Sequence, residues 1–386
     1  MFLVAVPILL PLLILAPRLV PESQDPNPGP LDPFSVLLTL TTMLPIVWAI
    51  KSAAHDGLSG LVVAALVIGV GSGLVFVRRQ RRTTTPMLDV GLFANTAFTS
   101  SILANFLSIV GLIGFIFFIS QHLQLVLGLS PLAAGLVTLP GAVLSMIAGV
   151  AVVPIAKRIA PHVLMIIGLI LVAAGFLAIL LFRHDLTVVA VIVSFIILEI
   201  GVGMSQTISN DTIVASVEPA KSGAASAVSE TAYELGAVVG TATLGTIFTA
   251  YYRGSVELPG GLTELQTADA RESIGGAASV AQTLPPALST RLMDSARVAF
   301  DAGIAPTATI AAVLVLIAAG VVALAFRGVS GRVARPASAP NPEAGPPSAR
   351  DSTPSTDPDT RAIPASRPLR SDPLNPPRPG DRSAER

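Results

Sequence analysis

The chain has 386 residues, of which 52% are hydrophobic and only 12% are charged; its net charge is zero and its mean hydropathy is +0.73. Soluble domains carry about 25% charged residues, so this composition indicates an integral membrane protein. The absence of cysteine excludes disulfides, iron–sulfur clusters and thiolate metal sites. The basic residues are scattered, which argues against a nucleic-acid surface.

The first region, residues 1–82, contains three apolar runs, at 2–20, 34–51 and 58–77. The run at 2–20 has neither a basic segment before it nor a small-residue cleavage site, so it predicts a transmembrane helix rather than a signal peptide. A proline-rich linker follows it. Four arginines after the third run, Arg78, Arg79, Arg81 and Arg82, are typical of a cytoplasmic loop.

A cytoplasmic connector over 83–97, with a short interfacial piece, separates this region from a second bundle over 98–329. Six further apolar runs lie in that bundle: 98–120, 131–156, 162–182, 187–208, 222–252 and 304–326. Each run has about the 17–25 residues that a bilayer requires. The sequence therefore predicts an all-α, polytopic membrane helix bundle of about nine spans.

Two segments of the second half are predicted to lie outside the bilayer. Residues 253–303 form an external loop with one or two short surface helices, broken at Gly275–Gly276 and Pro285–Pro286. Residues 330–386 are proline-rich and contain few large apolar side chains, so they predict a disordered cytoplasmic tail.

The distribution of lysine and arginine predicts the orientation of the chain. Short loops on the predicted cytoplasmic side carry eleven basic residues, against two, Lys51 and Arg183, on the other. The eleven are Arg18, Arg78, Arg79, Arg81, Arg82, Lys157, Arg158, Lys221, Arg327, Arg332 and Arg335. This places the amino terminus outside and the carboxyl terminus in the cytoplasm, and an odd helix number with an external start suggests a chain that lacks upstream helices.

The run at 222–252 carries two carboxylates, Glu230 and Glu234, four residues apart. At 100° per residue they share one helix face, about 40° apart. We call this face the acidic stripe; its members are Gly223, Ala227, Glu230, Glu234 and Thr241. An ionisable group at membrane depth normally faces a bundle interior or a water-filled cavity, so the acidic stripe is a candidate binding site for substrate or protons.

A different face of the same run carries Gly236 and Gly240, about 120° from the acidic stripe. Small residues let helix backbones approach closely, so these glycines predict a helix-packing face.

Other polar side chains inside apolar runs are further candidates. Glu199 lies near the middle of 187–208, and a carboxyl group in a low-dielectric site can bind and release a proton near neutral pH. Ionised, the same group attracts a cation, so proton and cation can exchange on it. Asn105, Gln121, Gln124 and Thr241 are candidate cavity or gate residues. The alternative for the acids is hydrogen bonding between helices, and for the glutamines capping of a helix end.

The four histidines, His55, His122, His162 and His184, each stand alone at the end of an apolar run. None has metal-ligand or catalytic spacing, so we interpret them as interfacial residues. The sequence therefore predicts no metal, no cofactor and no enzymatic activity.

Three segments together resemble a known family. One carries a Q-x-x-Q-x-x-x-G-x-S-P-x-x-A-G-x-x-x-L-P pattern, formed by Gln121, Gln124, Gly128, Ser130, Pro131, Ala134, Gly135, Leu139 and Pro140. Another has a P-x-A-x-R core formed by Pro154, Ala156 and Arg158, and the third, 218–240, contains the acidic pair. These segments resemble the 14-spanning drug/proton antiporter branch of the major facilitator superfamily, in which the P-x-A-x-R core is a cytoplasmic loop motif.

The resemblance implies an incomplete major facilitator fold, with family helices six to fourteen over about residues 1–330. It also implies proton-coupled efflux of lipophilic cations or other drugs across the bacterial inner membrane, with the acids of the 218–240 segment at the cation and proton site. The partners would be a small-molecule substrate, protons and the lipid bilayer. The alternatives are a truncated, non-transporting membrane protein or helix scaffold and, less favoured, a membrane-embedded enzyme.

Overall fold

The computed structural model describes residues 9–11, 13–15, 32–83, 86, 89–183 and 186–327. Within these residues the secondary structure is entirely helical, and eight helices are long and apolar enough to cross a membrane. The predicted all-α, polytopic architecture is thereby confirmed. The predicted span at 2–20 lies mostly outside the described residues, as do the linker after it and the tail beyond residue 327.

The first two long helices form a hairpin: α1, Pro33–Asp56, and α2, Gly60–Gln80. Their starts are capped by the side chains of Asp32 and Ser59, which accept hydrogen bonds from backbone N–H groups of the first turns. The hairpin is tight because a methyl group added at Gly69 would lie 2.6 Å from the Ile46 side chain. The connector after α2 contains a short 3₁₀ turn, Val90–Ala94.

Six long helices form the second bundle. They are α3, Thr96–Gln121; α4, Pro131–Ala156; α5, Pro161–Leu181; α6, Val188–Ala215; α7, Ser222–Ser255; and α10, Pro286–Arg327. Helix α6 packs against α4, α5 and α3, whereas α7 packs against α3 and α10. A methyl group added at Gly168 would lie 2.8 Å from the Gly201 carbonyl oxygen, so small residues bring α5 and α6 together.

Aromatic rings fill the middle of this bundle. Phe115 of α3 lies between Phe176 of α5 and Phe195 of α6, with ring centroids 5.4 and 5.7 Å away. Phe248 of α7 meets Phe300 of α10 edge to face at 4.5 Å. Buried rings thus join α5 and α6 to α3, and α10 to α7, which fixes the two helices that carry most of the candidate site.

The segment between α7 and the last span is helical over most of its length. It contains two short helices, α8, Glu264–Glu272, and α9, Ile274–Ala281, as the sequence analysis predicted. The break between them lies at Ser273, not at the predicted Gly275–Gly276, because Ser273 is extended and its hydroxyl caps α9 by accepting from the Gly276 N–H at 3.1 Å.

The last helix also begins earlier than predicted. The sequence analysis placed its start at residue 304, just before Pro306, but α10 begins at Pro286 and continues through Pro306 for 42 residues. Proline is tolerated inside membrane helices because neighbouring groups satisfy the backbone that it leaves unpaired. A large part of the predicted external loop is therefore the first half of α10.

Apolar side chains cover the outside of the bundle. Leu132 and Val150 of α4 are each 76% exposed, and Leu61 of α2 is 72% exposed. Such surfaces are unfavourable in water and suited to lipid, which agrees with a multi-pass membrane protein.

Candidate functional site

The acidic stripe of α7 is exposed along its whole length. All five of its members, from Gly223 to Thr241, are open to the surroundings of the described chain. Neither Glu230 nor Glu234 has a hydrogen-bond or ion-pair partner among the described residues. The Thr241 hydroxyl donates to the Ala237 carbonyl of its own helix at 3.0 Å. The structure therefore brings the two carboxylates and Thr241 onto one open face.

A cavity of about 540 Å³ lies beside the far end of the stripe, and we call it the Thr241 cavity. Thr241 is seven residues beyond Glu234, which is about 10 Å along the helix axis. The wall supplied by α7 is rich in small residues and hydroxyls, including Thr246 and Thr249. Lys51 of α1 and Arg253 of α7 also line this cavity. The Thr241 cavity therefore combines an apolar wall with hydroxyl groups and charged side chains.

A second cavity, of about 640 Å³, lies nearer the start of α7, between α7 and the α1–α2 hairpin. Ala227 of the acidic stripe lines it, together with Thr231 of α7 and Thr42 of α1. Apart from Thr39, the remaining lining is apolar, with Phe76 of α2 and Ile102 of α3. An uncharged, mostly apolar chamber thus adjoins the carboxylates.

Glu199 occupies a different place from the acidic pair. It lies in α6, is only 7% exposed and faces α4. A methyl group added at Gly141 of α4 would lie 3.3 Å from its Cγ, and its carboxylate interacts with the Ser145 hydroxyl. The structure therefore gives Glu199 an enclosed site that is separate from the acidic pair. Among the described residues, no group of three or more His, Asp or Glu side chains could hold a metal ion.

Asn105 belongs to a polar contact between three helices, in which Asn105 and Ser229 are buried and Asn210 is exposed. Its Nδ2 donates to the Ser229 hydroxyl of α7 at 3.0 Å, and that hydroxyl donates to Asn210 Oδ1 of α6 at 2.5 Å. We call these three residues the polar junction. The sequence analysis singled out Asn105 but missed Ser229 and Asn210; the available signal was a polar side chain within or beside an apolar run in each case.

Gln121 and Gln124 bond to their own helix rather than to each other. Their Nε2 groups donate to the carbonyls of Phe117 and Ser120, each at 3.1 Å. Both lie where α3 ends in a π-helical turn, His122–Val126. This geometry matches the capping alternative for the two glutamines.

His122, at the start of that turn, is buried rather than interfacial. It is 2% exposed; its Nε2 lies 3.0 Å from the Leu186 carbonyl oxygen, and its Nδ1 lies 3.6 Å from Asp301 of α10. The prediction of an interfacial residue was wrong because α10, far away in sequence, covers this end of α3.

The predicted cytoplasmic motif lies at the end of α4. Pro154 is in the last turn of the helix, Ala156 is its final residue, and Arg158 follows in a turn whose N–H donates to the Ile155 carbonyl at 2.9 Å. The Arg158 side chain is exposed.

Gly236 and Gly240 lie against the backbone of α3. A methyl group added to either glycine would lie 2.7 Å from a carbonyl oxygen, that of Phe106 or that of Val110. Two neighbouring turns of α7 thus require glycine for this close approach.

Comparisons with known proteins identify a family and several relatives that are similar to this chain. The sequence model of the Major Facilitator Superfamily matches residues 1–241. The multidrug efflux pump LfrA of Mycolicibacterium smegmatis is 74% identical over 326 residues, covering 84% of this chain and 65% of the relative. The methyl viologen resistance protein SmvA of Salmonella typhimurium is 30% identical over 305 residues, covering 78% and 61%.

A third relative, the drug efflux pump JefA of Mycobacterium tuberculosis, is 32% identical over 238 residues, covering 60% of this chain and 46% of the relative. The chain thus spans less than two thirds of the length of these curated relatives.

Proposed function

The chain belongs to the Major Facilitator Superfamily, and we propose that it is the carboxyl-terminal portion of a drug exporter whose acidic stripe faces the transport pathway. The observation that carries this proposal is an acidic pair with no basic partner among the described residues, on an exposed face of a membrane-spanning helix. Such a pair is costly in a bilayer unless a proton or a cation compensates it. An exported cation and a returning proton each fulfil that requirement.

The proposed substrate class is a lipophilic cation, exchanged for protons. The two cavities beside the stripe provide an apolar wall for such a compound, and the carboxylates provide the charge. Methyl viologen, an organic dication, appears in the name of one relative, and two others are named as drug efflux pumps. The first name supports an organic cation as the substrate, and the other two support drug efflux.

Glu199 is proposed as a second proton site. It is enclosed between α6 and α4, with a hydroxyl beside it that can donate to the ionised form. Because it is buried, it suits a proton better than a large organic cation. The acidic stripe, which is open, suits both.

The proposed location is the bacterial inner membrane, with the amino terminus outside and the carboxyl terminus in the cytoplasm. Under this orientation α7 begins on the cytoplasmic side, so Glu230 and Glu234 lie in the cytoplasmic half and the Thr241 cavity lies further out. A substrate would then meet the carboxylates before the cavity.

The test is dye uptake into everted membrane vesicles energised by a proton gradient, because the cytoplasmic face is outside in such vesicles and an exporter moves dye into their lumen. One preparation contains this chain alone. The other contains a chimera in which the 326 matched residues replace the corresponding part of the M. smegmatis pump. We expect the chimera to move ethidium, and Glu230→Gln with Glu234→Gln to reduce that transport to the background of empty vesicles.

A matched control is Glu264→Gln, an exposed glutamate of α8 away from the stripe, which should leave transport unchanged. Glu230→Asp with Glu234→Asp, which keeps both charges, should retain part of the activity. If the double glutamine variant still exports the dye at the rate of the parent chimera, the acidic stripe is not the coupling site.

A further inference from the structure

A small basic pocket lies at the end of the α1–α2 hairpin where α2 leaves the membrane. It has a volume of about 300 Å³ and is lined by Phe34, Val75, Arg78, Arg79, Arg82 and Thr83. We propose that this arginine pocket binds the phosphate headgroup of an anionic membrane lipid. The proposal is independent of transport and concerns a part of the chain that the acidic stripe does not reach.

One wall of the pocket is held rigid by Arg79. Its Nε and Nη2 donate to the two carboxylate oxygens of Asp32 at 3.0 and 3.1 Å, and its guanidinium lies 5.1 Å from the centre of the Phe34 ring. Ser35 strengthens the arrangement by donating to Asp32 at 2.6 Å. Arg79 is therefore neutralised and oriented, and it shapes the pocket without requiring a ligand for its charge.

The remaining two arginines supply the positive charge. Arg78 and Arg82 are exposed, and neither has a carboxylate partner among the described residues. They are four positions apart, so they project from the same side of the end of α2. Guanidinium groups present paired N–H donors that match phosphate oxygens, and arginine is favoured at such sites.

The other side of the pocket is apolar and faces lipid. Phe34 and Val75 are each 51% exposed, and the outward surface continues along the hairpin with Leu37 and Leu74, which are 54% and 67% exposed. A molecule with a phosphate next to hydrocarbon chains contacts both sides at once, whereas free phosphate contacts only the arginines. Basic pockets between helix ends at a membrane surface are typical sites for anionic lipids. The apolar side therefore favours a lipid over a soluble anion.

The test measures lipid retained on the purified full chain. The protein is titrated in detergent with phosphatidylglycerol, and bound lipid is counted by native mass spectrometry, with phosphatidylcholine as the zwitterionic comparison. We expect the protein to bind phosphatidylglycerol in clear preference to phosphatidylcholine. Arg82→Gln should weaken the affinity for phosphatidylglycerol by about fivefold to tenfold, because it removes one positive charge near the lipid phosphate and the hydrogen bonds of that arginine.

Arg81→Gln is the matched control. Arg81 is a neighbouring exposed arginine of the same cluster that does not line the pocket. Its loss should weaken binding less than the loss of Arg82. Arg78→Lys with Arg82→Lys, which keeps the charge but removes the paired donors, should also weaken binding. Thermal melting of each variant without lipid checks that it is folded.

Two results would overturn the proposal. Equal losses in Arg81→Gln and Arg82→Gln, with full retention in the double lysine variant, would mean diffuse attraction to a charged surface. Displacement of phosphatidylglycerol by millimolar inorganic phosphate would mean a site for a soluble anion.

Discussion

The two faces of α7 differ in almost every physical respect. On one face Gly236 and Gly240 are buried and touch the backbone of α3 so closely that any side chain would collide. On the other, Glu230 and Glu234 are exposed and have no partner among the described residues. The first face holds the bundle together, and the second contributes nothing visible to its packing. One helix can therefore separate residues that maintain the fold from residues that are free to meet a ligand.

The largest effect on stability should come from Gly240→Ala. The added Cβ would lie 2.7 Å from the Val110 carbonyl oxygen, and backbone must move to admit it. We expect a loss of about 1–3 kcal/mol in the free energy of unfolding, measured by thermal or denaturant melting in detergent. Gly223→Ala is the control, since nothing lies within 4 Å of that position. It should be neutral or slightly stabilising, because alanine favours helix more than glycine does; equal losses at both sites would remove the distinction between the faces.

The next effect should come from the polar junction, whose Ser229 lies on the same buried face of α7 as Gly236 and Gly240. Asn105→Ala removes the donor to Ser229 and leaves that hydroxyl with only Asn210. Interhelical hydrogen bonds in membrane proteins contribute about 1 kcal/mol, and we expect a loss of this size in the same melting experiment. Thr243→Ala serves for comparison, since its exposed hydroxyl bonds only to its own helix. A melting temperature unchanged by Asn105→Ala would show that the junction does not hold the helices together.

A smaller effect on stability should come from a carboxylate that has hydrogen-bond partners. The carboxylates of the acidic stripe have none among the described residues. Hydrogen bonds from Ser35, together with the Arg79 guanidinium, hold the pKa of Asp32 below its ordinary value. A lowered pKa in the folded state means that the ionised form stabilises the fold: its contribution is complete above about pH 4, the ordinary pKa of aspartate, and is lost as the pH falls through the lowered pKa.

The measurement compares the melting temperatures of the parent chain and of Asp32→Asn at neutral and acid pH. The difference between the two proteins should be present at neutral pH and should shrink below about pH 4. A difference that is the same at both ends of the pH range would mean that the charge of Asp32 does not stabilise the hairpin.

The smallest effect on stability should come from the acidic stripe itself. Because Glu230 and Glu234 are exposed and unpartnered among the described residues, Glu230→Gln with Glu234→Gln should change the free energy of unfolding by no more than about 0.5 kcal/mol. The melting curve of the double variant would be measured beside that of Gly240→Ala. A large loss of stability would place these carboxylates among the packing residues and weaken the case for a transport role.

Much of the fold could be predicted from the sequence because hydropathy alone marks a membrane span. The runs at 131–156 and 162–182 end within a residue of α4 and α5, where proline, glycine or charge interrupts the apolar pattern. The start of α10 could not be located in this way. The apolar run placed it at 304, whereas the helix begins at Pro286, in a less apolar segment, and continues through Pro306.

The site was less accessible to sequence reasoning. Helical periodicity is local, so it could assign Glu230 and Gly236 to different faces of one helix. It could not predict that Ser229 bonds to Asn105, 124 positions away, or that Asp301 lies beside His122. Such contacts depend on the crossing and register of separate helices. Nor could it tell that Glu199 faces α4 rather than the acidic stripe.

Helix α10 is one unbroken rod from the α9 end of the chain to the last described residue. Its 42 residues span about 63 Å, roughly twice the hydrocarbon thickness of a bilayer. Helix α9 packs against its first half and α8 packs against α9, and Tyr252 ties α7 to α8 by donating to the Ala270 carbonyl at 2.9 Å. Residues 286–303 therefore join the membrane-spanning part of α10 to the packed short helices in one continuous element, so that any tilt of the span would move these helices with it.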